Sequence, residues 1–166
     1  FHLDIIFTNR EQKDALESPP GLTQLNGVNV LVAEDNTNNQ IVIREFLAQK
    51  GCRVHIASDG QEAITKAKND KIDIIFMDIQ MPILDGISAT KAIRELGIET
   101  PIIALTANAI HGDKERFIEA GMDDYLAKPI VSETLYLLLD TYAPEHVVEP
   151  KDLKLTRLAQ VWEKLG

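Results

Sequence analysis

Several things are scarce in this chain of 166 residues, and each scarcity removes a class of behaviour. There is one cysteine, Cys52, so no internal disulfide forms, and a reducing, cytoplasmic setting is expected. Positive charge is in deficit: 17 Lys and Arg stand against 26 Asp and Glu, a net charge of −9, and no basic block could neutralise a phosphate backbone. Direct nucleic-acid binding is therefore not expected. No apolar run approaches the roughly 18 residues needed to cross a bilayer, and nothing at the N-terminus reads as a signal peptide, so a soluble chain without membrane contact is expected. The histidines, His2, His55, His111 and His146, show no zinc-ligand spacing. Neither a P-loop nor a dinucleotide-binding glycine fingerprint occurs, which leaves nucleotide binding unsupported. The first residue is not methionine, and the chain reads as a piece of something longer.

What is present is an alternation. Short apolar, β-branched runs occur at VNVLVA (28–33), RVHIA (53–57), DIIFM (73–77), PIIAL (101–105) and DDYLA (123–127). Four of these are nearly continuous in apolar character, as strands covered on both faces must be. Between and after them the pattern predicts helices at about 37–50, 60–69, 87–96, 109–120 and 132–142, with Gly51, Gly97 and Gly121 placed to end three of them in positive φ. Five β-α repeats imply a doubly wound α/β fold: a five-stranded parallel sheet in the flavodoxin-like order 2-1-3-4-5, with helices on both faces.

Open sheets of this kind bind ligands beyond the carboxyl ends of their strands. Glu34, Asp35 and Asn36 follow the first run, Asp78 the third, Thr106 and Ala107 the fourth, and Lys128 and Pro129 the fifth. Each has an ordinary alternative: Asn36 and its neighbours as helix caps, Asp78 as a turn residue, Thr106 as a cap, Lys128 as a solvated surface lysine. Their coincidence at the ends of four strands favours a shared site. Two like charges about 4 Å apart repel by roughly 4 kcal/mol at an effective dielectric of about 20, so clustered carboxylates call for a cation. All-oxygen donors favour Mg²⁺. Beside a carboxylate, an ammonium and a hydroxyl, such an ion makes a phosphoryl-transfer site with Asp78 as the nucleophile.

The segments VLVAEDNTNNQ (30–40), IIFMDIQMPILDG (74–86), PIIALTANA (101–109) and GMDDYLAKPI (121–130) closely resemble the receiver domain of two-component signalling, over about residues 26–143. The stretch from Glu34 to Asn39 is similar to the receivers of hybrid sensor histidine kinases. The resemblance implies that Asp78 is the phosphoacceptor, that Mg²⁺ is held by Glu34, Asp35, Asp78 and the backbone carbonyl of Gln80, and that Lys128 and Thr106 bind the phosphoryl oxygens. It implies a cis Lys128–Pro129 bond and a switch in which Thr106 and Tyr125 shift together, repacking the face of the fourth helix, fifth strand and fifth helix. It also implies a histidine kinase or histidine phosphotransfer domain as partner. The chain would promote its own phosphorylation without being a turnover enzyme for a free substrate, and whether it forms a homodimer is left open.

Rival readings are weighed on single residues. A Mg²⁺-dependent aspartyl-phosphate phosphatase of the haloacid dehalogenase type needs a second Asp two positions after the nucleophile, where Gln80 stands. A flavodoxin would have its flavin phosphate repelled by these carboxylates. A pseudo-receiver that works without phosphorylation would be expected to have lost Asp78 or Lys128. Asp85 is read as a turn or cap residue, Pro82 and Asp85-Gly86 as turn formers, and Met77 and Met81 as packing. In the first helix Ile41, Val42, Ile43, Phe46 and Leu47 form a set wider than one buried stripe, which suggests a docking patch for a phosphohistidine helix bundle.

The ends divide the chain further. FHLDIIF (1–7) is similar to the last strand of a kinase ATP-binding domain, the competing reading being a stray strand or a vector scar. Residues 8–26 read as a linker and 27–143 as the receiver. Residues 144–166 read as a linker or short amphipathic helix, with Leu155, Leu158, Trp162 and Leu165 at helical spacing.

Overall fold

The computed structural model describes residues 24–109 and 111–144. The expected strand at 1–7, most of the 8–26 linker and the amphipathic spacing near the C-terminus lie outside the described residues. The elements in order are β1 (Asn29–Ala33), α1 (Thr37–Gln49), β2 (Arg53–Ala57), α2 (Gly60–Asn69), β3 (Ile74–Asp78), α3 (Gly86–Glu95), β4 (Ile102–Thr106), α4 (His111–Ala120), β5 (Asp124–Ala127) and α5 (Ser132–Tyr142). The sheet is wholly parallel in the order β2-β1-β3-β4-β5, as expected.

Side chains on β3 alternate between two cores, because successive residues of a strand face opposite sides. Ile74 and Phe76 join Ile43 and Leu47 of α1 and Leu135, Leu138 and Leu139 of α5 on one face. Ile75 and Met77 join Ala63 of α2, Ala89 and Ile93 of α3 and Phe117 of α4 on the other. Both sets are almost fully buried, each large side chain contributing about 1.5–3 kcal/mol. Small residues on α2 and α3 let those helices approach the sheet and each other closely. Edge strand β2 is covered less well, with Arg53 exposed and Val54, His55 and Ile56 half-buried.

The helix boundaries follow local chemistry. Asn36 caps α1, its side chain accepting from the amides of Asn38 and Asn39. Asp59 caps α2 and Asp85 caps α3 in the same way, accepting from Glu62 and Ser88. Gly51, Gly97 and Gly121 follow α1, α3 and α4 with φ of 78°, 78° and 102°, conformations that glycine adopts without strain. The tight turn expected at Asp85-Gly86 lies earlier. Leu84 N donates to Pro82 O at 2.7 Å across Ile83, whose φ is 68°, so Pro82–Leu84 form a γ-turn and Gly86 already opens α3.

Two further features draw the domain together. Leu25 packs on the α1/α5 core and donates its amide to Lys50 O at 2.7 Å. Lys50 itself is wholly buried, lying 3.5 Å from Asp140 and 4.8 Å over the Tyr136 ring, so that its charge is neutralised where α1 meets α5.

Candidate functional site

The chain order reverses at β1, whose neighbours β2 and β3 lie on opposite sides of it, and the carboxyl ends there open into a cavity of about 560 Å³. Glu34, Asp35, Asp78, Gln80, Thr106 and Lys128 all line it, so every residue singled out for the metal and phosphoryl site falls in one place. Tyr125, singled out as a switch, lies on β5 and packs against the α2/α3/α4 core.

Three carboxylates meet at the floor. One ligand oxygen each from Glu34, Asp35 and Asp78 lie within 4.8 Å of one another. Glu34 is fully buried and Asp78 is 4 % exposed, whereas Asp35 faces solvent. Local bonds hold them. Asn36 N donates to Glu34 Oε1 at 3.0 Å, Gln40 Nε2 donates to Glu34 O at 2.6 Å, and Gln80 N donates to Asp78 Oδ1 at 3.0 Å. Asn36 is thus the cap and its two acidic neighbours belong to the cluster.

Lys128 reaches this group from beyond β5. Its Nζ donates to Asp78 Oδ2 at 2.8 Å and forms an ion pair with Glu34 Oε2 at 2.9 Å. Burial alone would depress the ammonium pKa, but the bonds and charges of Asp78 and Glu34 outweigh it and hold the pKa above the usual lysine value. A solvated surface lysine is excluded by these contacts. The Lys128–Pro129 peptide is cis, as expected, and Lys128 N donates to Thr106 O at 2.8 Å.

One ammonium cannot balance three carboxylates. Buried Glu34 Oε2 and Asp78 Oδ2 share the single Lys128 ammonium, at 2.9 and 2.8 Å. Three carboxylate oxygens within 4.8 Å of one another, with one shared ammonium between two of them, fit a small hard cation with oxygen preference. The residues present therefore fit Mg²⁺, and Gln80 is placed beside them on the same cavity wall.

Thr106 ends β4 on the opposite wall, 6 % exposed. Its hydroxyl donates to Asn108 O at 3.0 Å and accepts from Asn108 N at 3.2 Å. The loop after β3 is pressed against the cluster. A Cβ on Gly86 would stand 2.0 Å from the carbonyl oxygen of Asp78, and one on Gly60 would stand 2.4 Å from that of Leu84. Arg116, Asn39 and Phe117 also line the cavity. Reading strand ends does not find them, since they sit on α1 and α4; Arg116, one turn after Asp113 and paired with it at 3.5 Å, carries only a helix-surface signal.

On the outer surface of α1, Ile41 and Val42 are 50 % and 41 % exposed while Ile43 and Leu47 are buried, so the apolar set is indeed wider than its buried stripe.

Similar proteins carry the same arrangement of strands and helices. The chain is 49 % identical over 129 residues to hybrid signal transduction histidine kinase I of Dictyostelium discoideum, a match covering 72 % of this chain and 7 % of that protein. The chain thus spans a small fraction of that relative's length. The receiver domain of a sensor histidine kinase from Pseudomonas aeruginosa, crystallised with a magnesium ion coordinated in the active-site cleft, is 47 % identical; the match has a TM-score of 0.65 and covers 70 % of this chain and 97 % of that one. A receiver domain from Saccharomyces cerevisiae, solved with the histidine phosphotransfer protein that acts upstream of it, is 33 % identical with a TM-score of 0.68, covering 71 % and 90 % of the two chains. The family profile described as the response regulator receiver domain matches residues 30–140, which takes in nearly all of the sheet and its helices, and the chain belongs to that family.

Proposed function

We propose that this receiver accepts a phosphoryl group on Asp78 from a phosphohistidine of a histidine kinase or histidine phosphotransfer domain, with Mg²⁺ held by Glu34, Asp35, Asp78 and the Gln80 carbonyl. The observation that carries the reading is the meeting of three carboxylates within 4.8 Å, two of them bridged by Lys128. A carboxylate oxygen of Asp78 attacks phosphorus, the P–N bond to imidazole breaks as the new P–O bond forms, and the imidazole leaves as the neutral ring once protonated. Bound Mg²⁺ would neutralise charge on the phosphoryl oxygens. Lys128 holds Asp78 in place before transfer and pairs with the new phosphoryl oxygens after it. Thr106 exchanges its bonds with Asn108 for one to a phosphoryl oxygen. Tyr125 then repacks with it, which biases the α4-β5-α5 face between two arrangements.

The exposed Ile41 and Val42 on α1 support docking of the donor's helices there. Onward transfer to a second histidine uses the same chemistry in reverse, so a relay and a terminal switch are both served by this site. A hybrid histidine kinase is the parent protein this reading favours.

The deciding experiment is incubation with a small phosphodonor and Mg²⁺ followed by intact mass. The expected result is a gain of one phosphoryl group, absent for Asp78→Asn and absent when the ion is chelated. Folded wild-type protein that gains nothing would turn the assignment towards a pseudo-receiver.

A further inference from the structure

Among the described residues, the charged side chains lining the cavity around Asp78 are Glu34, Asp35, Asp78 and Asp113 against Lys128 and Arg116. Lys128 is committed at the floor, shared between Asp78 and Glu34 at 2.8 and 2.9 Å. Arg116 is held far more loosely. Its ion pair with Asp113 Oδ1 is 3.5 Å long, and the two side chains are 66 % and 33 % exposed. We propose that Arg116 captures the phosphoryl group of a small anionic phosphodonor, such as an acyl phosphate, at the mouth of this cavity. The assignment rests on the reading of Asp78 as phosphoacceptor.

Position is the first argument. Asp113 and Arg116 stand three residues apart on α4 and so share one face of that helix; both line the cavity, which makes this face one of its walls. The next residue, Phe117, is 4 % exposed and packs in the α2/α3/α4 core, which anchors the turn from which Arg116 projects. Asp78 is buried at the floor, so an entering donor meets the exposed guanidinium before the carboxylate.

Charge is the second. Four carboxylates against two cations leave the lining net negative, which repels an anionic donor until a divalent cation offsets it. Lys128 already serves two carboxylates, so the lining cation with donors to spare is Arg116. A guanidinium is charged at every working pH, and its planar fork of N–H groups matches two phosphoryl oxygens at once. Asp113 is a weak competitor for it, because 3.5 Å exceeds an ordinary hydrogen bond and an exposed pair contributes little. Exchanging that pair for charge-assisted bonds to a phosphoryl dianion is favourable. A contact at the rim holds the donor alike before and during transfer, so it lowers the half-saturating donor concentration and leaves the limiting rate alone.

The test is phosphoryl uptake by the full chain with Mg²⁺, read by intact mass across a range of acetyl phosphate concentrations. Arg116→Gln is expected to raise the half-saturating concentration about tenfold with the limiting rate unchanged. Arg116→Lys, which keeps the charge and loses the fork, should recover part of that difference. Added salt should shrink it, since the guanidinium is exposed. Lys114→Gln removes the same charge from the same helix outside this cavity and should match wild type. Binding is read separately from transfer in Asp78→Asn, where titration with inorganic phosphate and Mg²⁺ should move the Arg116 Nε–H signal. Normal wild-type uptake with an unshifted half-saturation in Arg116→Gln would overturn this assignment alone. An equal shift in Lys114→Gln, a fall confined to the limiting rate, or an Arg116 signal that phosphate leaves in place would do the same. Wild type that takes up no phosphoryl group would instead remove the acceptor reading, and the donor role with it.

Discussion

Lys128 Nζ stands 2.8 Å from Asp78 Oδ2, joining the ends of β5 and β3 across the intervening β4. The contact closes a gap of 50 residues in sequence and places the cation among two buried carboxylates. Removing it leaves both without compensation. Lys128→Ala is expected to cost about 3 kcal/mol of stability, and Mg²⁺ should recover more of that loss than it adds to the wild type. Phosphoryl uptake should slow by about a hundredfold. Urea unfolding with and without Mg²⁺, and a time course by intact mass, read the two effects; equal Mg²⁺ stabilisation of both proteins would contradict the charge argument.

Alkaline pH tests the same contact. The Lys128 pKa is raised in the folded state above the usual lysine value of 10.5. The stability it contributes is therefore fully present below about pH 10.5 and is lost as pH climbs through the higher folded value. Wild type should weaken more steeply in that alkaline window than Lys128→Met, and parallel curves would mean that the ion pair contributes nothing there.

Gly86 is a position where a single methyl group reaches the site. A Cβ 2.0 Å from the Asp78 carbonyl cannot be accommodated without moving the β3–α3 loop. Gly86→Ala is expected to destabilise by about 1–3 kcal/mol and to slow phosphoryl uptake, although alanine is the better helix former. An unchanged melting temperature would show that the loop yields freely.

The hydroxyl of Thr106 is held by Asn108 in both directions before any phosphoryl group arrives. Thr106→Ala should still take up phosphate but should no longer pass the change to Tyr125. Amide spectra before and after loading would show this as a Tyr125 shift present in wild type and missing in the variant. The same shift in both proteins would remove Thr106 from the switch.

Cys52 should be a poor nucleophile despite being the only thiol. Burial pushes its pKa up to about 11 from the usual 9.0, the nearby Lys50 only partly opposing this. Two units correspond to about a hundredfold less thiolate at neutral pH, and alkylation should be slower than for a free thiol by about that factor. Reaction at the free-thiol rate would mean that the α1–β2 junction opens readily.

How much of this is readable in the sequence depends on the range of the interaction. Strand runs and helix periods are local, and their boundaries agree within a residue or two: α2 and α5 match at both ends, while β3 and β4 each lie one residue later than the runs 73–77 and 101–105 and so include Asp78 and Thr106. The strand-end rule brought Glu34, Asp35, Asp78, Thr106 and Lys128 to one cavity because topology alone places them there. Arg116 reaches that cavity from the middle of a helix and carries no strand-end mark. Lys50 reads as an exposed helix-terminal lysine, and its burial depends on Tyr136 and Asp140 of a helix some 90 residues further on. The γ-turn at Ile83 was hidden for a different reason: a β-branched residue is the least expected occupant of a left-handed turn, so the glycine two positions beyond Leu84 drew the turn assignment instead.

Ile83 carries one further implication. It is 83 % exposed, apolar, and held at φ 68° a few residues after Asp78, where an asparagine or glycine would sit with less strain. The loop after Asp78 thus carries backbone strain of about 1–2 kcal/mol at Ile83. Relieving that strain requires Pro82–Leu84 to leave the γ-turn or position 83 to lose its Cβ, so Ile83→Gly is expected to hold the same loop shape at lower cost.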